Sequence, residues 1–163
     1  GGFGNRYTDR KQGIIQETIH LYALAPFREA AEMLNKPKYT EAINSCLTYY
    51  LNHEELLQVD NLTHFLGYEL EALIELRHEE LSKPVLQKLE ALQNSDGSVR
   101  GKEGVEWICV PGLVQLALCW YMIGARTPAD KAMQWLDEHQ QPSGGFLGSV
   151  GEGANYFPNV EVP

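Results

Sequence analysis

Lys131-Ala132-Met133-Gln134-Trp135-Leu136-Asp137-Glu138-His139-Gln140-Gln141-Pro142-Ser143-Gly144-Gly145-Phe146-Leu147-Gly148 is the stretch from which the rest of the chain is read. It predicts a helix that stops at a glycine-rich corner, with Gln140 near the helix end and Gly144 and Phe146 in the turn. A weaker copy lies upstream. Leu89, Gln93, Gly97, Val99 and Gly101 stand where Leu136, Gln140, Gly144, Phe146 and Gly148 stand later. The offset is constant (136−89, 140−93 and 144−97 all give 47). A fixed period of that size marks a repeat of helical hairpins.

Working outward, the apolar spacing predicts six helices. The first runs over 14–34 and must bend or split near Ala25, because Pro26 lacks a donor. The second covers 39–52, with Ile43, Cys46, Leu47, Tyr50 and Leu51 as its apolar stripe. Asp60 is the expected cap of a third helix over 62–78. Its leucines at 62, 66, 70, 73 and 76 face the core, and His64, Tyr68, Glu71 and Glu75 share another face. Ser82 and Pro84 are expected to open the fourth helix, which ends at Gln93. The fifth, over 111–123, is apolar almost all round, as expected of an enclosed helix. Thr127 and Pro128 open the sixth, and the glycine-rich 142–163 tail is expected to be a loop. Repeats thus end near residues 5, 52, 101 and 148. Odd-numbered helices carry more apolar and aromatic residues than even-numbered ones, as in an inner ring wrapped by an outer ring.

Bulk properties narrow the functional classes. The chain has 163 residues, 44% of them hydrophobic, enough for one domain with a sizeable core. A net charge of −9 argues against nucleic acid as a partner. It leaves neutral, apolar or cationic ligands. Cys46, Cys109 and Cys119 are odd in number and widely spaced, which reads as thiols of a cytoplasmic protein rather than a disulfide framework. The longest apolar run, 110–124, is interrupted and too short to span a bilayer. Gly1 in place of a methionine points to processing, a tag scar or truncation.

Lys131, Ala132, Trp135, Leu136, Gln140 and Gly144 resemble the QW repeat of squalene–hopene cyclases, with Phe146 where that family has tryptophan. Gly-Gly-Phe at 1–3 and 144–146 is similar to the corners of protein prenyltransferase β-subunits. The resemblance is sharp only in the last hairpin. It implies an all-α fold, an α/α-toroid of which 1–163 would be about half a ring in one domain. The chain is then expected to be a fragment of a larger toroid, or to close its ring by self-association.

Three functions follow as expectations. The first is a prenyltransferase- or terpenoid-cyclase-like domain, its cavity taking an apolar or isoprenoid ligand. The Asp-x-Asp-Asp cluster of cation-generating cyclases is absent from this sequence. A zinc site of the prenyltransferase kind would need Asp60, His64 and Cys109 to converge, with His20 near the same level; mixed N, S and O ligands suit zinc, but no closely spaced ligand pair supports one. The second is a carbohydrate-active toroid, lyase- or epimerase-like, with His64, Tyr68 and Glu71 in proton transfer, a role open to these side chains. Asn61, Gln115, Trp107, His20 and Tyr22 are the expected substrate-binding residues. Gln115 is a polar amide in an otherwise apolar helix and needs partners. The third is a non-catalytic helical-repeat binding module.

Overall fold

The computed structural model describes residues 17–53 and 56–162. The corner expected at 1–3, the polar 6–12 stretch and the first turn of the first helix lie outside them. A 3-10 helix, Glu17–Ala23, leads into α1, Leu24–Met33. Five further α-helices follow: α2 (Pro37–Leu51), α3 (Thr63–Glu75), α4 (Glu79–Ala91), α5 (Val110–Met122) and α6 (Arg126–His139). The described residues are predominantly helical, with four two-residue strands among them.

Pro26 accounts for the split of the first helix. It occupies the third position of α1, where an N–H would have no intrahelical acceptor in any case. The 47-residue period is visible in the element bounds themselves. Adding 47 to the ends of α3, 63 and 75, gives 110 and 122, the ends of α5. Gly97 and Gly144 both take positive φ, +93° and +90°, a conformation that glycine reaches without a Cβ penalty. At each corner the glutamine amide donates across the turn: Gln93 Nε2 to the Gly97 carbonyl (2.9 Å) and Gln140 Nε2 to the Gly144 carbonyl (2.8 Å). Gln93 Nε2 also donates to the Pro128 carbonyl in the first turn of α6 (2.9 Å), tying one repeat to the next.

Several expected helix starts are corrected. Asp60 does not cap α3, whose N-cap is Leu62, without a side-chain hydrogen bond. The α3 entry is held instead by the Thr63 N–H, which donates to the Gly101 carbonyl (2.8 Å). The fourth helix opens earlier, at Glu79, with Glu79 and Glu80 in its first turn, where the helix dipole favours acids. Ser82 is therefore inside the helix, and its hydroxyl donates to the Leu70 carbonyl of α3 (3.2 Å). Pro84 lies within α4 on an exposed position, so the carbonyl it leaves unpaired faces water. In α6, Ala125 takes the N-cap place expected of Thr127.

Helix α3 is the middle of the molecule. It packs against the 3-10 helix on one side and α5 on the other. Leu66, Leu70, Leu73 and Leu76 are buried as their spacing requires. Leu66 and Leu70 join the larger apolar core with α4, α5 and α6, whereas Leu73 and Leu76 join the smaller one with α1 and α2. Cross-ties back up the packing. Arg28 Nη1 donates to the Leu76 carbonyl (3.0 Å), and Trp120 Nε1 donates to the Leu86 carbonyl (3.2 Å).

The tail is a loop, as expected, but one that folds back on the helices. β1 (Ile108–Cys109) pairs antiparallel with β3 (Ser149–Val150), and β2 (Phe146–Leu147) with β4 (Glu161–Val162). Cys46, Cys109 and Cys119 form no disulfide with one another. Among the described residues, no helix is long and apolar enough to cross a membrane. The expectation of an enclosed fifth helix fails on one side: Val114, Leu118, Tyr121 and Met122 of α5 are exposed. No described element lies beyond α5 on that flank.

A buried carboxylate that the pattern analysis did not single out fastens α3 to its surroundings. Glu69 is fully buried, accepting from the Thr18 hydroxyl of the 3-10 helix and from the Leu57 backbone N–H (2.7 Å). Removing it strands both donors in the interior, at roughly 1–3 kcal/mol each. Glu69→Ala is therefore expected to lower the unfolding free energy in urea by roughly 2–4 kcal/mol. A loss below about 0.5 kcal/mol, the size of an ordinary surface substitution, would show that this tie contributes little.

Candidate functional site

The site grows from a close approach of two helices. Gly67 of α3 faces Gln115 of α5, and a Cβ at Gly67 would lie 2.7 Å from the Gln115 Cβ and 2.8 Å from its Oε1. At the other end of the same contact, a Cβ on Gly112 would lie 2.3 Å from the Thr63 hydroxyl and 2.7 Å from the His64 nitrogen. Glycine at both places lets the α5 backbone come near enough for Gln115 to lie across α3.

Gln115 there meets two residues of α3. Its Oε1 is 2.8 Å from His64 Nδ1, and its amide lies near enough to Glu71 to favour the ionised carboxylate. The amide oxygen faces His64 Nδ1, and an amide oxygen can only accept. The oxygen must then receive a proton from His64 Nδ1–H. Neutral His64 thus carries its proton on Nδ1 and keeps an unprotonated lone pair on Nε2.

The electrostatics favour that neutral imidazole. Burial lowers the His64 pKa from its ordinary 6.5, and the Gln115 hydrogen bond offsets part of the effect. Burial raises the Glu71 pKa, with a further push from Glu75 and a partial offset from Gln115. Burial likewise raises the Tyr68 pKa, helped by Tyr22 and Glu71, so the phenol stays protonated. A neutral base, a protonated phenol and a carboxyl of raised pKa therefore sit within one helical face.

Aromatic rings surround this polar chain. Tyr68 lies 4.8 Å from His64 and Tyr22 lies 5.1 Å from Tyr68, centroid to centroid. Tyr156 approaches His64 from the returning tail, at 5.9 Å. It is placed by the Tyr156 N–H, which donates to the Ser149 hydroxyl (3.1 Å) beside the β1–β3 pair. Sequence reasoning missed Tyr156. Only the pairing of strands forty residues apart brings it over α3, and no local pattern carries that signal.

His64, Tyr68, Glu71, Gln115 and Tyr22 are brought together. Asn61, His20 and Trp107 have no hydrogen bond or ring contact with them. Trp107 is 3% exposed, its ring packed where a Cβ on Gly101 would come within 2.4 Å. Burial of that kind corrects the expectation that it offers a face to a ligand. Asn61 Nδ2 and His20 Nε2 are enclosed and have no hydrogen-bond partner among the described residues. Asp60, His64 and Cys109 form no zinc set: among the described residues no three His, Cys, Asp or Glu side chains gather where a metal would need them. Burial pushes the Cys109 thiol up to about 11, against partial relief from Gly112, His64 and Thr63.

Comparison with known proteins adds no relative: no family model, curated sequence or solved structure matches the chain.

The Gln115–His64 hydrogen bond has a titration signature. In NMR the His64 ring is expected to titrate below 6.5, and lower still in Gln115→Leu, which removes the bond that favours the imidazolium. A depressed folded-state pKa means that His64 contributes stability above the ordinary histidine range. That contribution is lost as the pH falls from 6.5 through the folded-state value. A His64 that titrates at or above 6.5, or that rises in Gln115→Leu, would contradict the arrangement.

Proposed function

We propose that the chain is part of a carbohydrate-active helical toroid that binds a neutral sugar over Tyr22, Tyr68 and Tyr156 and uses His64 as the proton acceptor. The observation that carries this reading is the Gln115–His64 hydrogen bond. It directs the only proton of a neutral imidazole away from Nε2, as a general base requires. Protonated Tyr68 beside it is a donor.

The surroundings favour a sugar over a hydrocarbon. Rings offer flat faces to the C–H surface of a sugar, with hydroxyls at their edges. An isoprenoid laid over the same place would desolvate an imidazole, phenols, an amide and the Glu71 and Glu75 carboxylates without replacing their hydrogen bonds, a cost of about 1–3 kcal/mol for each neutral group. A negatively charged sugar would face those two carboxylates in a chain of net charge −9. The repeat of corners at Gly97 and Gly144, joined by Gln93 to Pro128, supports an arc of hairpins with α3 and α5 on its inner side.

The test is ligand titration followed at the His64 ring. Neutral cello-, malto-, manno- and chito-oligosaccharides are compared with farnesol in NMR. At least one sugar series is expected to shift the His64 and tyrosine ring signals, with at least a tenfold loss of affinity in Tyr68→Ala. Shifts with farnesol and with none of the sugars would overturn the proposal in favour of the isoprenoid reading.

A further inference from the structure

The exposed flank of α5 has a counterpart inside the molecule. The face of α3 that α5 covers includes His64, Gly67 and Glu71. Forty-seven residues later these positions are Pro111, Val114 and Leu118 of α5. Val114 and Leu118, with Tyr121 and Met122 further along, are 41%, 43%, 38% and 37% exposed. They recur at steps of four, three and one, forming one stripe along the helix. Helix α5 contains no charged residue at all. The repeat therefore has a seat for a further apolar helical surface at this flank, and isolated soluble molecules rarely expose such a stripe without using it.

A second detail belongs to the same flank. Gln93 bonds both its own corner and the first turn of the next outer helix, through Pro128. Gln140, its equivalent 47 residues on, bonds only its own corner and is exposed. Among the described residues no further repeat is docked on the last hairpin: Gln140 bonds only its own corner, and the Tyr121 hydroxyl donates to Asp130 of α6 (2.6 Å).

The opposite end of the row carries an uncharged groove. It lies between α1 and α2, has a volume of about 540 Å³, and is lined by Phe27, Leu34, Tyr39, Ile43 and Cys46 over small residues such as Ala30 and Ala42. Because α3 separates the 3-10 helix from α5, stripe and groove lie at opposite ends of the hairpin series and do not meet within one molecule.

We propose that a second copy of this chain covers the flank: the α5 stripe of one molecule lies in the α1–α2 groove of the next, head to tail. The match is a ridge of four side chains with a groove whose own lining carries no charge, as in other helix-in-groove contacts; Asp130, which accepts from the Tyr121 hydroxyl (2.6 Å), edges the ridge, and Lys38, 5.1 Å from the centre of the Tyr39 ring, edges the groove. Such a contact is heterologous, so it adds molecules in one direction round a ring or along a row. Each molecule carries a net charge of −9, so repulsion opposes the contact at low salt and is screened at high salt.

Sedimentation velocity of the whole chain tests this. The wild type is expected to sediment faster as concentration rises, and more so in 0.5 M than in 0.05 M NaCl. Leu118→Lys, on the ridge, and Ala42→Glu, in the groove, are each expected to abolish self-association while keeping the wild-type circular dichroism spectrum. An equimolar mixture of the two variants still holds one intact ridge and one intact groove, and is expected to restore a dimer. A wild type that stays monomeric at every concentration and salt overturns the proposal. So does an Ala42→Glu variant that still self-associates, which would indicate ridge-to-ridge pairing, and so does a mixture that fails to associate.

Discussion

Everything at the candidate site depends on how near α5 comes to α3. With side chains at Gly67 and Gly112, the two helices would be held apart by Cβ contacts of 2.3–2.8 Å that no structure tolerates. Gln115 would then no longer lie between His64 and Glu71. The same approach sets Cys119 beside the Gly67 carbonyl, with sulfur 4.0 Å from the oxygen, so the interior of the contact is made of small or soft groups. A polar amide placed mid-helix among apolar residues is costly unless both its ends are bonded. Here the oxygen end is bonded by the imidazole, and the amide favours the ionised form of nearby Glu71. Packing and polarity therefore answer to one constraint.

Three forces then set the chemistry of the face. Partial burial disfavours every charged form, which keeps His64 neutral and pushes Glu71 and Tyr68 toward their protonated forms. The amide counters this weakly at His64 and at Glu71. The rings of Tyr68 and of Tyr156, from the returning tail, lie beside the imidazole without bonding it, and Tyr22 of the 3-10 helix packs on Tyr68. The outcome is a nitrogen base whose tautomer is set by its neighbour, in surroundings that are aromatic but not greasy. Glu69, one turn away on the core side of the same helix, shows the other way a carboxylate is accommodated: full burial with donors on two sides.

The helices were legible because their signals are local and repeated. Leucines at 66, 70, 73 and 76, the corner glycines 97 and 144, and the corner glutamines 93 and 140 each recur at helical or 47-residue spacing, and each takes the place that spacing implies. Cap residues were less legible. Asp60, Ser82 and Thr127 have the right chemistry for an N-cap, yet α3, α4 and α6 begin elsewhere, because tertiary bonds such as Thr63 to Gly101 and Ser82 to Leu70 outweigh local preference. Of the site, the α3 face could be read from its period, and Gln115 stood out as a polar residue in an apolar helix. Tyr156 could not be read, since its position depends on two-residue strand pairings in a glycine-rich tail. Trp107 was misread for the common reason that a large aromatic near a cavity is more often its supporting wall. The exposed stripe of α5 was also invisible, because an apolar helix reads the same whether its neighbour is present or not.

The central claim is that Gln115 fixes which nitrogen of His64 carries the proton. Long-range ¹H–¹⁵N correlation of the imidazole, at a pH where the ring is neutral, observes this directly. The account requires the Nδ1–H tautomer in the wild type and a shift toward Nε2–H in Gln115→Leu. A wild-type ring that is predominantly Nε2–H, or a tautomer unmoved by the substitution, would contradict it.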